Sequence, residues 1–345
     1  MSRLARVLLI LPLLLPAQQG TGTITGTVSD SQDAVIAAAR VEVVTVATGA
    51  IFRTQTNEQG LYTAPGLPVG RYEVRAEREG FKKAVRSGIT LQVGQSAQVN
   101  VVLQVGQLAE VVEVRGDASL VDTGSATVGT VIDNRQVQAL PLNGRGALSL
   151  TLLTPGVFSN AGPTNSGFGD RGVQISSLSI NGSPNSMNAQ MLDGNNNVLS
   201  YVGEVGIPPA VDAVEEFKVQ SGAMSAEFGF TAGGAINLVT KSGTNEIHGT
   251  LYEFFRNDKL DARNAFATAR LPLRYHQFGG TVGGAFIKNR TFGFYNYEQY
   301  ILRRQTPRIA TVPITPWKQG DFSDLRNANG VFVPIFDPAT TATNP

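Results

Sequence analysis

A chain of 345 residues with 28 Lys+Arg against 27 Asp+Glu and no Cys has room for two or three domains of about 100–200 residues each. Near-zero net charge without a basic run excludes the electrostatic footprint of a nucleic-acid binder. Absent Cys excludes disulfides, thiolate metal sites, iron–sulfur clusters and Cys nucleophiles. His248 and His276 are the two His, which leaves little material for a zinc site or a Ser–His triad. A charged fraction of 16% and 38 Gly, against about 25% charged residues in common soluble proteins, argue further against a metabolic enzyme.

Residues 1–17 read as an export signal: Arg3 and Arg6 form a basic start, Val7–Leu15 an apolar stretch, and Ala17 a small residue for cleavage. A membrane anchor or a buried first helix is the alternative. The apolar run is well short of the roughly 20 residues a spanning helix needs.

From residue 20 to 105 short β-prone runs rich in Val, Ile, Thr and Tyr alternate with turn residues at spacings of about 8–12 residues. Alternation is plain in Arg71–Ala76 and Ala97–Leu103, and Asn57-Glu58-Gln59-Gly60 and Pro65–Gly70 supply turn chemistry. The pattern predicts an antiparallel β-sandwich. Its order of GTVSD, TNEQGLY, LPVGRYEV and EGF resembles the carboxypeptidase regulatory-like domain. That resemblance implies a seven-stranded, prealbumin-like, non-catalytic module, structural or partner-docking. A carbohydrate-binding role would need exposed aromatics, and Phe52, Tyr62, Tyr72 and Phe81 are spaced as core residues.

Residues 106–118 form a bridge containing the short acidic, β-branched run Glu110, Val111, Val112, Glu113 and Val114. By itself this run reads as a last sandwich strand or a linker. Residues 119–245 mix signals. Asp133 with Gln136 makes a capping box for a short helix that ends before Pro141. Gly146–Leu153 is a second helical candidate, Val173–Ile180 a strand, Ala213–Phe217 a helix running into a strand, and Gly234–Lys241 a strand. Four ordered segments carry a second resemblance: VIDNRQVQALPLNGRGALSLTLLTPGV, LSINGSPNSMNAQMLDGNNN, DAVEEFKVQSGAMSAEFG and GGAINLVTKSGTNEIHGTLYEFFR. They resemble the plug domain of TonB-dependent outer-membrane receptors of the Oar-like kind. In that family Glu110–Val114 would stand where receptors present the TonB box, an extended segment that pairs with a sheet edge of the periplasmic TonB protein. Linker or sandwich strand stays open as the alternative.

From 246 onward, Ile247–Arg256, Tyr275–Ile287 and Thr291–Ile301 read as long strands. Phe278, Val282 and Phe286 share one face while Gln277 and Thr281 point the other way, the apolar-out, polar-in pattern of a membrane barrel. A soluble sandwich face alternates likewise, and the position behind a plug-like domain favours the barrel. At about 9–11 residues per membrane strand, residues 246–345 supply about five strands, fewer than the 8 or so a barrel needs to close. The expectation is therefore a partial barrel belonging to a longer protein.

Other motifs weigh less. Gly167–Gly172 matches G-x-G-x-x-G without the strand–turn–helix context of a dinucleotide site. Asp193, Gly194 and Asn195, with Glu204 at the twelfth position, imitate a calcium loop but carry Val198 where Gly is required; they read better as the plug's side-chain-capped turn. Adjacent Glu215 and Glu216 face apart and form no acid–base pair. The expected fold class is mainly β: a prealbumin-like sandwich, a small α+β plug, and the first strands of an incomplete transmembrane barrel. No catalytic residue, metal or cofactor is expected. Expected partners are TonB, outer-membrane lipid around the barrel, and an unidentified extracellular ligand; nucleic acid is not among them.

Overall fold

The computed structural model describes residues 20–106, 111–115, 127–140, 142, 145–159, 178–199, 203–222, 224, 228–229, 231–263, 269–304 and 312–336. The export signal and Gly167–Gly172 lie outside the described residues. The chain divides into two compact units. One holds the described residues up to Phe254 together with Gln277–Tyr300; the other holds Phe255–His276 and the described residues from Ile301 onward.

The first eight strands are β1 (Thr21–Asp30), β2 (Arg40–Thr45), β3 (Ile51–Gln55), β4 (Leu61–Pro68), β5 (Gly70–Glu77), β6 (Lys83–Leu91), β7 (Ser96–Gln98) and β8 (Val101–Leu103). β4, β1 and β7 form one sheet, with β8 also paired to β1; β3, β2, β5 and β6 form the other. Alternation does the work the sequence predicts: Ile24, Val28, Tyr72, Val74, Ile89 and Leu103 are buried between the sheets, and their strand neighbours face out. Tyr62 and Tyr72 are core residues, and Phe52 and Phe81 pack against the same core. Tyr62 donates to the Val99 carbonyl at 2.7 Å, and burial raises its phenol. Pro65–Gly70 is not a compact turn: β4 runs through Pro65 to Pro68, tolerated because β4 is an edge strand.

A ninth strand, β9 (Val111–Arg115), follows. It pairs in parallel with β6, Lys83 opposite Val111 through Ser87 opposite Arg115.

The central module starts with β10 (Val128–Asp133) and α1 (Asn134–Ala139). Both halves of the capping box form: Asp133 Oδ1 accepts from the Gln136 N–H at 2.9 Å, and Gln136 Oε1 from the Asp133 N–H at 3.2 Å. Gly146–Leu153 becomes a 3₁₀ helix over Ala147–Leu153. Short strands follow as β11 (Val157–Phe158), β12 (Ser179–Ile180), β13 (Ala189–Leu192), β14 (Asn195–Asn196), β15 (Val198–Leu199) and β16 (Glu204–Val205), then β17 (Val214–Gly222) and β18 (Ala235–Thr240). The main sheet has the order β10-β17-β18-β13-β14. Phe217, Val219, Ile236 and Leu238 fill its core with Val137, Leu148 and Leu150 from the helices.

One expectation is corrected here. Ala213–Phe217 is not a helix: a 3₁₀ turn over Val211–Ala213 gives way to β17 at Val214. β17 is an inner strand with β10 on one side and β18 on the other, so its main-chain groups are satisfied by the ladder and both faces are covered. Its burial is nearly continuous, which erases the alternation that marks a half-exposed strand.

The last described strands are β19 (His248–Asn257), β20 (Leu273–Ile287) and β21 (Thr291–Arg304), hydrogen-bonded in that order. β20 and β21 are joined by the short turn Lys288–Arg290, and β19 and β20 by the longer segment 258–272. Three strands rather than five are thus present among the described residues.

Candidate functional site

The expected plug turn is built by Asp193 and Gly194. Both sit at positive φ, +50° and +77°, the geometry of a two-residue hairpin turn, and Leu192 pairs with Asn195 across it. The Asp193 side chain reaches out of this turn. Its Oδ1 accepts from the Thr240 N–H and its Oδ2 from the Thr240 hydroxyl, each at 2.8 Å. It ties the β13–β14 turn to the end of β18, where the chain leaves the central module. Asn195 donates to the Asp193 carbonyl at 3.2 Å. Glu204, the would-be twelfth calcium ligand, is buried in β16, so the calcium-like spacing serves this turn.

Arg145 is a residue the motif reading did not single out. It adopts positive φ, +50°, a costly backbone region for a side chain of its size. Its guanidinium forms an ion pair with Asp212. The same group lies 4.7 Å from the Tyr252 ring centroid and 4.3 Å from that of Phe254. A cation over two rings is worth on the order of 1–2 kcal/mol when partly desolvated. Tyr252 donates in turn to Glu298 Oε2 at 2.8 Å. One central-module arginine is therefore held by its own module and by the face of β19 that also meets β21.

That face is polar. Thr250 and Thr281 share a hydrogen bond at 2.9 Å, Gln277 is 2% exposed, and His248 stacks on Phe294. The opposite face carries Leu251, Phe278, Val282, Phe286, Tyr295 and Tyr297; Leu251 is 93% and Phe286 81% exposed. The alternation expected of β20 is observed where Gln277 and Thr281 are buried and Val282 and Phe286 are exposed.

A third cluster joins the sandwich to the second face of the central sheet. The Val93 N–H donates to Glu216 Oε1, and Lys218 Nζ donates to the Gly94 carbonyl at 3.2 Å. A Cβ on Gly20 would meet Val239 at 2.6 Å, so the contact is close. Burial pushes the Glu216 carboxyl up to about 7, opposed by the Val93 hydrogen bond and reinforced by Glu215 and Asp133. Glu215, on the other side of the strand, is also raised by burial, with Lys241 opposing.

The turn at the foot of β20 and β21 touches the sandwich too. Asn245 donates its N–H to the Ala47 carbonyl at 3.0 Å, and its side chain exchanges two 2.8 Å hydrogen bonds with Asn289. Val111, Val112, Glu113 and Val114 lie in β9 at the sandwich edge; Glu110 is outside the described residues. Among the described residues no group of three or more His, Asp and Glu lies close enough to hold a metal ion.

These features are an N-terminal sandwich, a central α+β module and three long strands with one polar and one apolar face. The family model for an outer membrane beta barrel domain matches residues 239–345, and that for a carboxypeptidase regulatory-like domain matches residues 23–104. The chain is 31% identical over 308 residues to the TonB-dependent transporter Oar of Myxococcus xanthus, an alignment covering 84% of this chain and 27% of that protein. It thus spans about a quarter of that relative's length. The findings place the chain with the TonB-dependent outer-membrane receptors of the Oar-like kind. Among solved structures, the siderophore receptor PirA of Acinetobacter baumannii is similar at 21% identity and a TM-score of 0.35, over 59% of this chain and 26% of that one. A catechol 1,2-dioxygenase of Acinetobacter radioresistens is similar at 16% identity and a TM-score of 0.22, over 29% of this chain and 58% of that one. Both likenesses are local and carry no functional argument.

Proposed function

We propose that the chain is the N-terminal part of a receptor that takes up an unidentified ligand across the outer membrane, with residues 119–245 as the plug and TonB as the motor. The observation that carries this reading is Arg145, bound to Asp212 within the central module and to the rings of Tyr252 and Phe254 on the polar face of the strands. A plug filling a barrel should meet the wall in this way. The Arg145 guanidinium and the Tyr252 hydroxyl can exchange their partners for water when the plug moves, and the Phe254 ring is already 44% exposed.

The remaining geometry supports the same reading. Bacterial outer-membrane barrels have short periplasmic turns and longer extracellular loops. Lys288–Arg290 is the short turn, and the Asn245–Asn289 contact puts Ala47 of the sandwich beside it. The sandwich, and with it Glu110–Val114, then faces the periplasm, where TonB works. Residues 1–17 serve export, and the outward faces of β19–β21 meet lipid. Coupling of this kind is mechanical: TonB pairs with the extended box and pulls, and the plug yields. The ligand would be chosen by extracellular loops such as 258–272.

The test is fractionation of the native gene product followed by capture on purified TonB C-terminal domain. The reading expects the protein in the outer-membrane fraction and retained by the domain. Recovery as a soluble periplasmic protein that the domain does not retain would refute it.

A further inference from the structure

The box and the sandwich are not independent. β6 is the last antiparallel strand of its sheet, and β9 covers its open edge in parallel over five register pairs, Lys83–Val111 to Ser87–Arg115. The family domain itself is complete without β9, since the carboxypeptidase regulatory-like match stops at residue 104. The chain arrives antiparallel, with Phe81 bridged to Val105 and the Lys82 N–H bonded to the Gln104 carbonyl at 2.8 Å. It then reverses so that 111–115 runs alongside 83–87. β9 is therefore an added edge strand formed by the segment that the proposed function assigns to TonB.

We propose that the β6 edge of the sandwich is the resting partner of the TonB box, and that TonB obtains the box by displacing it from this edge. The inference rests on the reading of Glu110–Val114 as the box. An extended segment offers main-chain donors and acceptors to one sheet edge on each side. A strand already paired with β6 has one of its two edges occupied, and the sandwich and TonB compete for the same kind of bond. A parallel pair is slightly weaker per residue than an antiparallel one, and five residues at an edge form a short ladder. The hold is thus suited to exchange rather than to permanent closure. It also covers the β6 edge against unwanted edge-to-edge pairing until the motor is present.

A reversible lock tests this, and the natural absence of Cys makes it clean. Register partners on neighbouring strands lie about 4.8 Å apart, inside the roughly 4.4–6.8 Å Cα window of a disulfide. Ser87→Cys with Arg115→Cys joins β6 to β9 without changing any residue of Glu110–Val114. In the full chain in detergent, the oxidised variant should form the disulfide and lose at least tenfold in capture by purified TonB C-terminal domain. Reduction should restore capture to the wild-type level. Failure to form the disulfide in a protein that captures normally, or undiminished capture when locked, would overturn the proposal.

Amide exchange on the unmodified chain gives a second readout that needs no folding of a variant. Those amides of 83–87 that donate to β9 should lose protection when excess TonB domain is added, whereas those that donate to β5 keep theirs and those of 111–115 stay protected in their new pairing. Unchanged protection of the amides that donate to β9 in the captured complex would overturn the proposal as well. Val112→Pro separates this inference from the box itself. Capture that survives Val112→Pro removes the box assignment. Capture lost in Val112→Pro but unaffected by the lock keeps the box and removes its resting place on β6.

Discussion

At the scale of single residues, Glu216 is the most informative. Its carboxyl is buried where the sandwich meets the central sheet, accepts the Val93 N–H, and is pushed by burial to about 7. A carboxyl raised in the folded state keeps its proton while the unfolded chain, near the ordinary 4.5, has already lost it. Stability therefore falls as pH rises from about 4.5 to about 7 and is level beyond, a loss of roughly 3 kcal/mol for this group. Glu216→Gln keeps an acceptor for Val93 and removes the charge. Thermal melting of the chain in detergent from pH 4.5 to 8 should show a flatter profile for the variant and a higher midpoint than wild type at pH 8. A variant that melts lower than wild type at pH 8 would show that the ionised carboxylate stabilises the junction. Asp193 matters through its hydrogen bonds rather than through burial. Asp193→Ala removes two hydrogen bonds to Thr240 at a position already at positive φ. It should destabilise the chain by about 2–4 kcal/mol, with Asp193→Asn costing less; equal melting of Asp193→Ala and wild type would refute the tie.

At the scale of elements, legibility followed exposure. Strands with one wet face, such as β5 and β20, announce themselves by alternation, and the capping box at Asp133 and Gln136 located α1 because it is a local device. β17 was misread at its start because a strand covered on both faces has no alternation, and Ala213-Val-Glu-Glu-Phe217 has acceptable helix formers. No local signal could reveal that Val93 bonds to Glu216 or that β9 returns to β6, since both depend on contacts between distant segments. Arg145 was missed for the same reason: its partners Asp212, Tyr252 and Phe254 lie 67 or more positions away in the chain. The two faces of β20 give this scale its prediction. Val282 lies on the outward face and is 52% exposed, whereas Thr281 is 9% exposed on the inward one. Val282→Arg places a charge against lipid at a cost of roughly 2–4 kcal/mol near the midplane. The native gene product carrying it should be recovered in the outer-membrane fraction at clearly lower yield, with Thr281→Ser unchanged. Equal yields for Val282→Arg and wild type would mean that β20 does not face lipid there.

At the scale of the whole molecule, the composition that argues against a metabolic enzyme takes on a positive meaning. Low charge, abundant Gly and few His suit a sandwich, a polar central module and strands with a wet and a greasy face, none of which needs catalytic side chains. What links them is hydrogen bonding between distant segments: β9 paired on β6, the Asn245 N–H on the Ala47 carbonyl with the Asn245 side chain on Asn289, and the Val93 N–H on the Glu216 carboxyl. The sandwich thus touches β9, the central module and the segment that leads into β19. The central claim is that Glu110–Val114 is the handle for that pull. Proline at 112 removes a main-chain donor from any strand the box can form. Retention of wild type and Val112→Pro by immobilised TonB C-terminal domain measures it directly. The account predicts that wild type is retained and that Val112→Pro is retained at least tenfold less; equal retention of the two would contradict it.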